Sequence, residues 1–175
     1  VTIPSTVTTI GDSAFIGCSL ISLTIPSGVT TIGDSAFAAC DITSLTIPSS
    51  VTYVGSNAFG ANVVNSITIN SDADFSYSEL TFTNNNILYR VLTKSTASVY
   101  GDYYTYNKYY GNITIPSSIT KGNTFNIVGI DEYAFRGCDE ITGVSIPNSV
   151  TSVGDQAFIY TKILSLDMNV SLLDL

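Results

Sequence analysis

Short segments in which aliphatic and hydroxyl-bearing residues alternate return along the chain at a nearly fixed interval. Leu23-Thr24-Ile25, Leu45-Thr46-Ile47, Ile67-Thr68-Ile69, Ile113-Thr114-Ile115 and Val144-Ser145-Ile146 share the pattern, and Leu166-Asp167-Met168 is a degraded copy. A period of two puts the aliphatic side chains on one face of a β-strand and the threonines on the other. The pairs Ile3-Pro4, Ile25-Pro26 and Ile47-Pro48 stand 22 residues apart, with Ile69 another 22 on, and Ile115-Pro116 and Ile146-Pro147 repeat the pair later. A period in the twenties predicts stacked coils, each burying its apolar side against its neighbours.

Within each period the order of residue types predicts the path of one coil. Proline has no N–H to donate and fixes φ, so the strand ends there and the chain turns. A second apolar pair follows, Val7 with Ile10, Val29 with Ile32, Val51 with Val54, Ile119 with a displaced Ile130, and Val150 with Val153. Threonines 8, 30, 52, 120 and 151 lie inside these pairs, which predicts a short β-branched strand on the opposite wall. Gly11, Gly33, Gly55 and Gly154 then offer a position where positive φ is cheap, and Asp12, Asp34, Ser56 and Asp155 are helix N-cap residues. A single helical turn is expected there. It would carry Phe15, Phe37, Phe59, Phe135 and Phe158, whose rings should stack as an aromatic spine. Three residues further stand Cys18, Cys40, Asn62, Cys138 and Thr161, each small and able to donate a hydrogen bond to carbonyls at a buried corner.

The unit Ile-Pro-x-x-Val-Thr-x-Ile-Gly-x-x-Ala-Phe-x-x-Cys, followed by Leu-x-x-Leu-x-Ile-Pro, resembles the BspA-like leucine-rich repeats of bacterial and some protozoan surface proteins. The match covers residues 1–69 and 113–168. What the resemblance implies is an α/β solenoid, a right-handed leucine-rich-repeat superhelix of about seven phased strands, with a parallel sheet, short strands and helical turns. It also implies an extracellular or cell-surface location and a role in adhesion or protein binding, with a host matrix or surface protein as the partner.

Between Ile69 and Ile115 the Gly-Asp-x-Ala-Phe signature is missing. Residues 87–92 and 97–100 flank Thr93–Thr96 and predict a β-hairpin, as the family resemblance also implies, with Asn84–Asn86 as the turn leading in. The chain therefore divides, inside one repeat domain spanning 1–175, into regular repeats at 1–69, a hairpin insertion at 70–112, and regular repeats at 113–175 with a surface loop inserted at 121–128.

Composition narrows the function classes. Hydrophobic residues make up 45% and charged residues 11%, which is enough apolar material for a core. Six basic and fourteen acidic residues leave a net charge of −8, which repels phosphate backbones and anionic lipid, so nucleic acid is not expected as a partner. No apolar run approaches the ~20 residues of a membrane-spanning helix. The first residues already belong to a repeat, so the expectation is a mature or trimmed fragment of something longer, without a signal peptide. There is no histidine, so the commonest general base is missing and no serine can be activated by one; an enzyme is not expected, and neither is a cofactor.

Five candidate features remain. Seven of the eleven tyrosines fall between Tyr89 and Tyr110, and Tyr103, Tyr104, Tyr106, Tyr109 and Tyr110 either form a contact patch or cover the hairpin. The outward threonines Thr24, Thr46, Thr68 and Thr114 form a hydroxyl-lined sheet that docks a polypeptide or a glycan, or else reflects strand propensity alone. A column of Asp12, Asp34, Glu132 and Asp155 could hold calcium, but capping accounts for these residues and no metal is expected. Cys18 and Cys40 occupy equivalent places in adjacent coils and are expected to be free thiols, since Asn62 fills the same place next. The strand edge at Val1–Ile3 leaves room for edge-to-edge self-association. A passive spacer in a longer surface protein is the alternative to a binding role.

Overall fold

The structure, a computed structural model, describes residues 2–101 and 109–168. It divides into two compact units that interleave in sequence: Val1–Thr83 with Arg90–Thr96 and Thr120–Phe125, and Asn84–Tyr89 with Ala97–Ile119 and Asn126–Leu175.

In the first unit the strands Ser22–Thr24, Ser44–Ile47 and Ser66–Ile69 form a parallel sheet in strict register, with Leu23, Leu45 and Ile67 aligned and Thr24, Thr46 and Thr68 aligned. The aliphatic row is buried, as the alternation requires. A second parallel sheet of Thr9–Ile10, Thr31–Ile32 and Tyr53–Val54 forms the opposite wall, with Ile10, Ile32 and Val54 turned inward. Threonines bind the wall together: the Thr30 and Thr52 amides donate to the carbonyls of Thr8 and Thr30 at 2.8 and 2.9 Å, and their hydroxyls donate to the same oxygens. Between the walls the rings of Phe15, Phe37 and Phe59 stack, with centroids 5.2 and 5.8 Å apart and planes within 7° of parallel.

The second unit repeats the plan. Tyr110–Thr114, Glu140–Ser145 and Ser165–Asp167 form a parallel sheet, Gly129–Ile130 pairs with Ser152–Val153, and Phe135 stacks on Phe158 at 5.1 Å. Six of the seven expected main strands are thus strands among the described residues. The hairpin is present as Ile87–Thr93 and Thr96–Val99. Its turn is tied by a 2.7 Å contact between the Thr93 and Thr96 hydroxyls in the first unit, and Tyr100 N–H donates to Leu88 O in the second.

The expected helical turns are absent: the described residues contain no helix, and the α/β description gives way to a strand-and-turn repeat. Two residues after Gly11, Gly33, Gly55 and Gly154 the backbone enters the left-handed region, at Ser13, Ser35, Asn57 and Gln156, and it does so again at Tyr133, two residues after Asp131, with φ between 54° and 60°. A residue in that region cannot continue a right-handed helix. What forms instead is a run of β-turns in which successive amides alternate between two kinds of partner. Ala14, Ile16 and Cys18 donate within their own coil, to Gly11, Ser13 and Phe15, while Ser13, Phe15 and Gly17 donate across to Asp34, Ala36 and Ala38 at 2.8–2.9 Å.

The glycines and acids therefore do other work than expected. Gly33, Gly55 and Gly154 do not hold the positive φ; a Cβ on them would lie 2.3–2.7 Å from the backbone amide nitrogen of Asp12, Asp34 or Glu132 in the coil before. Glycine is required there because the coils nearly touch. Asp12 and Asp34 cap no helix: each accepts, through Oδ1, the amide of the equivalent residue one coil on, Asp34 at 2.9 Å and Ser56 at 2.8 Å.

The surface loop expected at 121–128 is also corrected. Ser118–Lys121 and Asn123–Ile130 are strands, joined at Gly122, whose φ is +104°. Phe125 and Ile127 are buried, and Phe125 meets Phe82 at 5.4 Å within the first unit.

Candidate contact surface

The outward side of the first unit's main sheet is built by the same alternation that buries its leucines. Ser22 with Thr24, Ser44 with Thr46, and Ser66 with Thr68 lie side by side in register, the outer two pairs exposed and the middle pair half-buried. Three hydroxyl pairs on neighbouring strands, ~4.8 Å apart, make a flat array of donors and acceptors that carries no charge.

In the second unit the corresponding side is less uniform. The exposed residues of its first strand are Tyr110, Asn112 and Thr114, and a register shift falls between Gly111 and Asn112. A groove of about 250 Å³ runs here, lined by Asn112, Thr114, Gly143, Ser145, Ser165 and Asp167 with the flanks of Ile113 and Val144. Gly143 makes the groove possible, since a Cβ on it would lie 2.7 Å from Asn112 Oδ1 and 2.6 Å from Ser165 Oγ. The Thr142 hydroxyl donates to Asn112 Oδ1 at 3.0 Å, and Ser145 Oγ donates to Asp167 Oδ2 at 3.5 Å. These groups can hydrogen-bond a ligand.

The tyrosine cluster separates. Tyr110 is 69% exposed at the head of its strand, whereas Tyr109 is 7% exposed. The Tyr109 ring meets Phe135 edge-on at 5.4 Å, its oxygen accepts the Leu88 amide at 3.2 Å, and burial pushes its ionisation above the ordinary tyrosine range. It is a core residue. Tyr103, Tyr104 and Tyr106 lie outside the described residues.

At four of the five coil corners the small residue donates to a carbonyl, as the sequence implies. Asn62 Nδ2 donates to the carbonyls of Phe37, Phe59 and Gly60 at 2.8–3.2 Å, and Thr161 Oγ1 donates to Phe158 O at 2.7 Å. The thiol of Cys40 donates to Phe15 O, and that of Cys138 to Arg136 O. All three cysteines are free, and burial raises the pKa of Cys40 and Cys138, which keeps them as thiol donors.

One surface feature goes beyond the sequence reading. Tyr53 stands in register with Thr9 and Thr31, so a large ring replaces a threonine at one place in an otherwise regular wall. Tyr53 and Tyr77 are 55% and 75% exposed and line a cleft in the first unit. The signal in the sequence was that single exchange.

The chain belongs to the BspA type leucine rich repeat region family, whose model matches residues 1–110 and 98–175 in six copies. No curated protein matches it in sequence. Among solved structures it is similar to a leucine-rich repeat protein from Bacteroides ovatus, with 24% identity and a TM-score of 0.52 over 97% of this chain and 43% of that one. A leucine rich cell surface protein from Faecalibacterium prausnitzii aligns at 24% identity and a TM-score of 0.44, over 97% of this chain and 41% of that one. The pneumococcal vaccine antigen PcpA aligns at 18% and 0.43, over 94% and 43%. The chain spans less than half the length of each of these three. No helix among the described residues is long and apolar enough to cross a membrane.

Proposed function

We propose that this BspA-type repeat chain is a non-enzymatic binding module of a secreted or cell-surface protein, and that it holds another polypeptide on the outward face of its parallel sheets. The observation that carries the reading is the registered row of Thr24, Thr46 and Thr68 beside Ser22, Ser44 and Ser66, polar and uncharged while every second residue is buried. Such a face offers hydrogen bonds without the desolvation cost of charges, as the broad surfaces of repeat proteins do. Thr114 and Tyr110 extend the same role to the second unit. Membership of the BspA-type family, whose resemblance implies a surface setting, supports extracellular adhesion to a matrix or host protein, and the spacer is the reading it competes with.

A glycan is a second ligand class, favoured by one observation: the groove beside Gly143 brings an amide, hydroxyls and the Asp167 carboxylate together.

The test is capture of extracellular-matrix and cell-surface proteins by the intact chain, followed by the double variant Thr24→Arg, Thr68→Arg at the two exposed threonines of the row. Exposed-strand arginines leave circular dichroism unchanged and are expected to weaken capture by about tenfold or more. Capture of no protein, or equal capture by the variant, overturns the sheet-face reading.

A further inference from the structure

The cleft that holds Tyr53 and Tyr77 sits where the coils of the first unit stop repeating. In the turn runs of the regular coils, amides cross to a carbonyl 21 residues on, as in Ser35 to Ser56 and Phe37 to Ala58; the corresponding crossings of the next coil, Asn57 to Tyr77 and Phe59 to Ser78, span 20 and 19. The shortened coil adds no further strand to the opposite wall, whose sheet ends at Tyr53–Val54. The cleft left at that edge measures about 370 Å³ and is lined by Asp34, Thr52, Tyr53, Val54, Ser56, Asp74 and Tyr77. It combines two exposed aromatic rings, two carboxylates and no basic group, on a chain of net charge −8.

Neither ring serves the core, since more than half of each is in water. Both carboxylates are held in place by the backbone: Asp34 Oδ1 accepts the Ser56 amide and Asp74 Oδ1 the Ser76 amide, both at 2.8 Å. Hydrogen bonds from Ser76 lower the pKa of Asp74, so it is ionised at neutral pH. Fixed carboxylates beside aromatic faces attract a cation, and the faces also accept the methylene stem that carries it. A neutral sugar would use the rings but gain little from two negative charges.

We propose that this cleft takes a lysine or arginine side chain of a partner polypeptide. That the partner is a polypeptide rests on the reading above; the affinity of the cleft for the cation does not. The probe is the blocked tripeptide acetyl-Gly-Arg-Gly-amide, titrated into the intact 15N-labelled chain, with the norleucine analogue as the uncharged control. Amide shifts are expected to concentrate at Thr52–Ser56 and Asp74–Tyr77, and to be absent with norleucine. Tyr53→Thr, which restores the residue found at Thr9 and Thr31, and Asp74→Asn, which keeps an acceptor for Ser76, should each weaken binding about threefold or more. Equal shifts with norleucine, shifts spread over the whole acidic surface, or unaltered binding by Tyr53→Thr overturn the proposal. So does a response at these residues to chitotriose in place of the arginine peptide, which would make the cleft a glycan site. Failure of the titration leaves the sheet-face capture experiment standing, and failure of capture leaves the titration readable.

Discussion

Two stretches of the first unit solve one problem in different ways. From Gly33 to Ile69 every coil lies on a near-copy of itself, and the exposed edge of one is satisfied by the backbone of the next: Leu45 pairs Ile67, Thr46 pairs Thr68, and Ile47 pairs Ile69. From Asn70 to Phe82 the copy is imperfect and side chains take the place of the missing backbone. Ser71 Oγ donates to Val51 O at 2.7 Å and accepts from Ala73 N–H, Ser78 Oγ donates to Phe75 O, and Thr81 Oγ1 donates to Asn62 O at 2.8 Å. These three hydroxyls are buried. A repeat needs few special residues because symmetry pairs its polar groups, and an interruption needs one for each group that symmetry no longer reaches.

The residue that stands at the border is Asn62, and its removal is expected to have the largest effect. It is 1% exposed; Oδ1 accepts from the amides of Cys40 and Ile42 at 3.2 and 2.9 Å while Nδ2 serves three carbonyls. Asn62→Ala leaves those groups buried without partners and should cost about 3–5 kcal/mol in urea unfolding. Asn62→Cys, the residue already used at Cys40, should cost about half of that. If alanine and cysteine prove equally damaging, the shared donor role of the corner position is wrong.

Glycine shows how far local rules carried the reading. The 22-residue interval, the buried aliphatic faces and the stacking of Phe15, Phe37 and Phe59 were legible, because each is a periodic property of the chain alone. The conformation after Gly33 was not. Gly-Asp is a signature of helix starts when the amide to be capped lies two or three residues on, whereas here it lies 22 residues on, in another coil. The strand at 123–130 was missed for the opposite reason: its alternation, with Phe125 and Ile127 buried and Thr124 and Asn126 exposed, was visible but matched no repeat unit. In the candidate surface, the threonine row followed from alternation, while Tyr53 and Tyr77 come together only through the shortened coil.

A paired substitution sharpens the point about close-packed coils. A Cβ on Gly33 would sit 2.4 Å from Asp12 Oδ1 and 2.7 Å from Asp12 N, whereas one on Gly11, at the same place in the preceding coil, meets nothing within 4 Å. Gly33→Ala should cost about 2–3 kcal/mol and Gly11→Ala less than about 0.5 kcal/mol. Equal costs measured by urea midpoints would mean that glycine is needed for its backbone conformation after all.

A smaller loss than that of Asn62 or Gly33 tests the interruption itself. Past Ile69 no strand of the repeat among the described residues continues the main sheet, and the side chain of Asn123 acts as a one-residue strand. Its Oδ1 accepts the Ile69 amide at 2.9 Å, and its Nδ2 donates to Ile69 O at 2.8 Å and to Lys94 O at 2.9 Å. An amide side chain reproduces the donor and acceptor of a peptide group, so asparagine can pair a strand edge as backbone would. Next to it Gly122 passes so close to Ile67 that a Cβ would lie 2.2 Å from that carbonyl oxygen, which fixes the approach. Because Asn123 is half-buried, water can partly replace it, and Asn123→Ala should cost about 1–2 kcal/mol, below Asn62→Ala and Gly33→Ala. Amide hydrogen exchange adds a local readout: protection at Ile69 should fall in the variant while protection at Ile47, whose partner is backbone, stays as it was. Loss of protection at both would show that the regular sheet depends on this one side chain, and the contrast between backbone-paired and side-chain-paired edges would collapse.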